Sequence, residues 1–148
     1  MRPSAYVAAA LLACTPLAFV HPVRVRGGSM EPALRDGQVV LALWAWCSGA
    51  PALGEVRILH GPEGRAIKRL LALPGQVLEQ KNGYLLRDGV FVEEPYVASR
   101  PLRDDGPWEA GAGYLALGDN RPASRDSRLW GAIGRTQVRG RVLQARGA

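Results

Sequence analysis

Apolar and polar positions divide this chain into one continuous apolar segment followed by a series of short alternating ones. Residues 5–20 read AYVAAALLACTPLAFV, 16 residues without a charge. As a helix this run spans about 24 Å, against roughly 30 Å for a bilayer core, with Pro16 as a kink and His21-Pro22-Val23 available as a short extension. Arg2 ahead of the run also fits a secretory signal peptide. Cleavage would then fall within a few residues of Ser29, and residues 23–25 do not read as a discarded tail, so the preferred reading is an uncleaved membrane anchor. Arg24 and Arg26 outnumber Arg2, which by loop charge alone favours a cytoplasmic C-terminal side.

Beyond the anchor the pattern has period two. Strands are expected over residues 39–46, 55–59, 66–73, 77–79, 84–86, 90–92 and 114–117, with a last one around Val138 and Val142. Turn chemistry separates them at Asp36-Gly37, residues 61–64, Lys81-Asn82-Gly83 and Arg87-Asp88-Gly89. Residues 48–54 and 99–113 read as Gly- and Pro-rich loops. The result is a mainly β domain over residues 27–148 behind an anchor and flank over residues 1–26. Trp44 and Trp46 fall on one face if the strand runs through both, either as core or as an interfacial aromatic patch.

Composition narrows this little. A chain of 148 residues, 47% hydrophobic and 22% charged, builds one domain with a core, and 18 glycines with 11 prolines suit short strands and turns. The net charge of +6 admits nucleic acid or an anionic membrane as partner, but the arginines are scattered and no nucleic-acid motif accompanies them. Cys14 and Cys47 read as buried thiols rather than a disulfide framework.

The cations change the picture more. Of 19 basic residues only Lys68 and Lys81 are lysines. Lysine can lose its proton near neutral pH where arginine cannot. Lys81 sits in a turn. Lys68 shares a strand face with Ala66, Leu70 and Ala72, with Arg69 opposite. On that face it either snorkels at a strand edge or is desolvated, which lowers its pKa and makes it a general base.

A partner for such a base stands in Gly27-Gly28-Ser29-Met30-Glu31-Pro32. This stretch is either a plain turn or a bent backbone presenting the Ser29 hydroxyl. Eight residues separate Ser29 from Val20, so Ser29 lies within about 30 Å of the end of the apolar run. His21 flanks that run and His60 sits by a Gly-Pro turn, and Glu31 replaces the second glycine of a Gly-x-Ser-x-Gly elbow. A Ser–Lys pair is therefore favoured over a Ser-His-Asp triad. No clustered His, Cys and carboxylates suggest a metal, and no cofactor is expected. Residues 118–131, GDNRPASRDSRLWG, are either a solvated charged loop or a polar segment packed inward. Packed inward, Ser124 can hydrogen-bond a neutral lysine, while Asp126 with Arg128 and Asp119 with Arg69 can form ion pairs.

These stretches, in this order behind an apolar segment, resemble the type I signal peptidase family of Ser–Lys membrane proteases. The resemblance rests on Gly28-Ser29-Met30-Glu31-Pro32, on Ile67-Lys68-Arg69 with Leu73-Pro74-Gly75, and on Gly118-Asp119-Asn120-Arg121 with Ser124, Asp126-Ser127-Arg128 and Gly131. It implies Ser29 as nucleophile, Lys68 as neutral general base and Ser124 as the hydroxyl that orients the lysine. Gly28, Met30, Asp119, Asp126 and Arg128 are then supporting residues, and the Ser29 backbone N–H is an oxyanion donor. The implied fold is two packed antiparallel sheets behind a transmembrane helix, with the site on the extracytoplasmic face of the cell membrane. Signal peptides of secreted preproteins would bind as an added strand and be cut after Ala-x-Ala-like residues.

Two departures stand out. Some relatives carry a hydroxyl residue two positions before the nucleophile as a second oxyanion donor, whereas here that position is Gly27. The chain also lacks the large accessory domain of some relatives. A pilin-processing peptidase of conjugative transfer and an inactive signal-peptide-binding relative are the competing readings.

Overall fold

The computed structural model describes residues 18–143. Residues 5–17 of the expected anchor, with Cys14, lie outside the described residues. Among the described residues no helix is long and apolar enough to cross a membrane.

Among the described residues ten strands form two antiparallel sheets. The six-stranded sheet runs in the order β1 (Val20–Arg24), β2 (Val39–Trp44), β10 (Val138–Val142), β3 (Val56–Gly61), β4 (Gly64–Ala72), β9 (Leu115–Leu117). The four-stranded sheet runs β7 (Val90–Phe91), β6 (Tyr84–Arg87), β5 (Val77–Lys81), β8 (Asp105–Glu109). A short α-helix, α1 (Ser127–Trp130), follows β9.

Period-two patterning builds the large sheet. Along β2, Val40 and Ala42 are buried while Val39, Leu41 and Trp44 are exposed. Central β3 and the second half of β4 are buried on both faces, which explains the continuous apolar run from Leu70 to Ala72. Val25, Met30, Leu34, Val40, Val56 and Ile58 form one core under β1 and β2. A second core joins the sheets through Leu71 and Ala72 of β4, Leu78 of β5, Leu85 of β6 and Leu117 of β9.

Three local readings change. His21-Pro22-Val23 does not extend a helix, because it lies in β1, paired with β2 in the register Val23↔Val40. Residues 105–109, within an expected loop, form β8. Both strands contain proline and both are edges, where a missing N–H costs no ladder bond. Finally, β2 ends at Trp44 and the chain turns into a 3-10 helix over Ala45–Cys47, so Trp44 and Trp46 are not strand neighbours. Both are exposed rather than core, at 43% and 70%. Trp44 stacks on His21 and Trp46 packs against Phe19.

Candidate active site

Ser29 lies on the connection from β1 to β2. The base of that connection is closed by Val25 N–H to Gln38 O and Gly37 N–H to Val25 O. Met30 and Leu34 anchor it in the core, and Leu34 N–H donates to Met30 O. The residue after the serine is thus pinned, which leaves the Ser29 hydroxyl to face outward. From the other side Asn120 holds the same backbone, its N–H donating to Ser29 O (3.0 Å) and its Nδ2 to Gly28 O (3.0 Å).

Lys68 reaches the serine from the middle of β4. Its Nζ lies 2.6 Å from Ser29 Oγ, although 39 residues separate the two in sequence. The side chain is buried, and the desolvation holds its pKa below the ordinary lysine value against the opposing pull of the Asp126 and Asp119 carboxylates. Once neutral, such an amine can accept a hydroxyl proton. No carboxylate is bonded to it among the described residues.

The adjacent cation is treated differently. Arg69 Nε and Nη2 donate to both oxygens of Asp119 at 2.9 and 2.7 Å, its Nη1 donates to Gly54 O, and its guanidinium lies 3.9 Å over the Tyr96 ring. Both members of the pair are buried.

The polar segment after β9 packs inward and satisfies itself. Asp126 accepts from Gly118 N–H, the Ser124 hydroxyl, and Arg128 Nε and Nη2. Burial acts to raise the Asp126 pKa, but Arg128, the Ser124 hydroxyl and the Gly118 N–H outweigh it and hold the carboxyl below its usual range. Asp126 also caps α1 by accepting from Arg128 N–H. Arg128 closes the segment through Arg121 O and Ser124 O.

Gly118 is where the pieces meet. A Cβ there would lie 2.2 Å from Ser124 Oγ and 2.5 Å from Ser29 O, so only glycine lets the segment approach Ser29 this closely. Ser124 is thereby close to the pair, but its hydroxyl proton goes to Asp126 at 2.6 Å. Among the described residues the hydrogen bond of Lys68 runs to Ser29 and not to Ser124.

Ser29 and Lys68 line a cavity of about 470 Å³ with residues 21–26, Met30, Ile58 and residues 65–67. It lies by two unpaired strand edges. β1 is bonded on one side only, and β9 pairs with β4 only from Arg69 onward, which leaves residues 64–68 free on that side. The site thus combines a serine hydroxyl, a desolvated amine hydrogen-bonded to it and a groove with room for an extended chain. Among the described residues no three His, Cys, Asp or Glu side chains gather as a metal site.

A family model described as signal peptidase, peptidase S26, matches residues 2–145, nearly the whole chain. The chain belongs to this family. Signal peptidase IB of Staphylococcus aureus is 31% identical over 144 residues, covering 83% of this chain and 75% of its own length. A probable signal peptidase I-1 of Synechocystis is 32% identical over 135 residues, covering 83% and 69%. A crystal structure of a signal peptidase I from Enterococcus faecalis V583 matches with a TM-score of 0.55 at 30% identity, over 64% of this chain and 97% of that one. The protein is accordingly a serine peptidase, a hydrolase of the signal peptidase family.

Within this signal peptidase fold, Gly27 has a backbone reason for lacking a side chain. Its φ is +77°, a region L side chains rarely adopt, and its N–H donates to Asp36 Oδ1 at 2.8 Å. Sequence reasoning gave no role to two further residues. Arg121 Nε holds Gly118 O, and the same guanidinium pairs with buried Glu94. Glu94 lies in the stretch after β7, and the one available hint was that a buried arginine in residues 118–131 needs a carboxylate from elsewhere. Nothing in Glu93-Glu94-Pro95 says that Glu94 is the one.

Proposed function

We propose that this peptidase removes signal peptides from secreted preproteins at Ala-x-Ala-like sites, with Ser29 as nucleophile and Lys68 as general base. The observation that carries the reading is the 2.6 Å separation of Lys68 Nζ and Ser29 Oγ at the wall of the groove, with the amine desolvated. Neutral Lys68 takes the hydroxyl proton as Ser29 Oγ bonds to the scissile carbonyl carbon, and the Ser29 N–H stabilises the oxyanion. The resulting ammonium returns its proton to the leaving amine as the C–N bond breaks. In the second half Lys68 takes a proton from water as the water oxygen attacks the ester. The ammonium gives that proton to Ser29 Oγ as the C–O bond breaks, restoring the Ser29 hydroxyl and neutral Lys68 and freeing the peptide carboxyl. Ser124, its own proton committed to Asp126, offers lone pairs to orient the lysine. Asp119, Asp126 and Arg128 act through geometry rather than chemistry.

The substrate binds as an added strand along the free edges of β1 and of residues 64–68. The N-terminal segment that carries the apolar run from residue 5 serves as a single-pass anchor, with the catalytic domain outside the cytoplasm. Phe19, Trp44 and Trp46, exposed near the start of β1, meet the lipid surface. Cleavage of a preprotein bearing an Ala-x-Ala site, in detergent or liposomes, tests the reading. Wild type is expected to cut at that site, while Ser29→Ala and Lys68→Met do not. Cutting that survives both substitutions would remove the dyad from the mechanism.

A further inference from the structure

The groove beside Ser29 is lined by Arg24, Arg26 and Arg65 and by no carboxylate. All three arginines are exposed, and none forms an ion pair among the described residues. Seven other described arginines have carboxylate partners and five do not, so what sets these three apart is that they are unpaired and also line the groove that holds Ser29. Nearby acids do not fill the gap. Asp36 accepts the Gly27 N–H, and Glu63, two residues before Arg65, is held by Arg125. Glu31 folds back beside Gly28 and is not part of the lining.

The rest of the lining is mostly apolar. Val23, Met30, Ile58 and Ile67 belong to or pack against the core, so they form the floor, and the exposed guanidiniums form the rim. A peptide added as a strand presents alternate side chains to opposite sides. The residues at −1 and −3 from the cut then meet the floor, and those at −2 and −4 meet the rim. We propose that Arg24, Arg26 and Arg65 make this groove selective for peptides carrying Asp or Glu at the intervening positions, −2 and −4. The inference rests on the reading of Ser29 and Lys68 as the catalytic pair, which places the cut.

Guanidinium offers forked donors to a carboxylate. Exposed ion pairs are individually weak and screened by salt, so two of them together are expected to give about a tenfold preference at low ionic strength that shrinks at high salt. An anionic lipid headgroup is the competing occupant. It is disfavoured because these arginines line the cavity that holds Ser29 and Lys68, with Arg24 and Arg26 at the far end of β1 from exposed Phe19, Trp44 and Trp46.

The test uses matched peptides with an Ala-x-Ala site and Asp, Asn or Lys at −2 and −4. Their binding to the full-length Ser29→Ala protein is measured by fluorescence anisotropy in neutral detergent, and their kcat/KM with wild type is measured alongside. The Asp peptide is expected to bind and react best and the Lys peptide worst. Arg65→Glu and the double variant Arg24→Glu/Arg26→Glu should reverse that order, while Arg139→Glu, exposed on β10 outside the groove, leaves it unchanged. Equal binding of the three peptides at low salt overturns the proposal. So does unchanged peptide preference in the variants combined with their loss of binding to phosphatidylglycerol vesicles, which would assign the arginines to lipid. A charge preference in binding without any cleavage by wild type would leave the selectivity standing and refute the dyad instead.

Discussion

Lys68 and Arg69 are neighbours on β4, both buried, and they are solvated in opposite ways. Arg69 receives a bidentate carboxylate, a carbonyl and an aromatic face. Lys68 receives the hydroxyl of Ser29 and no bonded carboxylate. Alternation along the strand sends the two side chains to opposite faces, so one face fixes the architecture and the other carries the chemistry of the proposed mechanism. A charge with a full set of partners is stable and inert. A charge denied them is costly to keep, and the group becomes basic chemistry at lower pH than a solvated lysine. Burial alone therefore does not mark a functional cation, and the partner set does.

The contrast breaks most visibly on truncation. Arg69→Met should destabilise the fold by about 3–5 kcal/mol in denaturant unfolding, because Asp119 is left buried without its counter-ion. Stability close to wild type would mean that the pair is not structural. Gly118→Ala is expected to cost about 1–3 kcal/mol and to reduce activity further than that loss of fold explains, since the added methyl displaces Ser124 and the Ser29 carbonyl. An alanine variant with wild-type kcat/KM would contradict the close approach.

The smallest effect should have the opposite sign. Lys68→Met removes a desolvated amine and should leave stability unchanged or raise it by about 1 kcal/mol while activity is lost. The sign follows from linkage. The folded-state pKa of Lys68 lies below its ordinary value of 10.5, so between the two the unfolded chain binds the extra proton and wild-type stability rises with pH. The gain from Lys68→Met should accordingly be larger at neutral pH than in alkali. A marked loss of stability at neutral pH would show that Lys68 is a paired structural cation after all.

Much of this was legible before the structure. The period-two runs at residues 39–44 and 77–87 and the turns between them required no tertiary information. The two strands that escaped, β1 and β8, hide behind Pro22 and Pro107 at sheet edges, where ladder position rather than composition decides. Trp44 and Trp46 were misassigned to one strand because the break after Trp44 carries no Gly or Pro to announce it. At the site, Ser29 and Lys68 stood out by residue type and neighbours. Asn120, Arg121 and Glu94 did not, because their roles come from contacts across 27 to 92 residues of sequence. Ser124 shows the limit of inference by type: its proton serves Asp126, a choice that no sequence pattern states.

The account stands or falls on the protonation state of Lys68. Because the chain has only two lysines, labelling lysine side chains with 13C and 15N gives two NMR titrations, and Lys81→Arg leaves only that of Lys68. The Lys68 signal is expected to titrate below the ordinary lysine range, with a midpoint that matches the rise of kcat/KM to an alkaline plateau. A Lys68 that stays charged throughout the pH range of activity, with kcat/KM flat down to pH values of about 5, would contradict its assignment as the base.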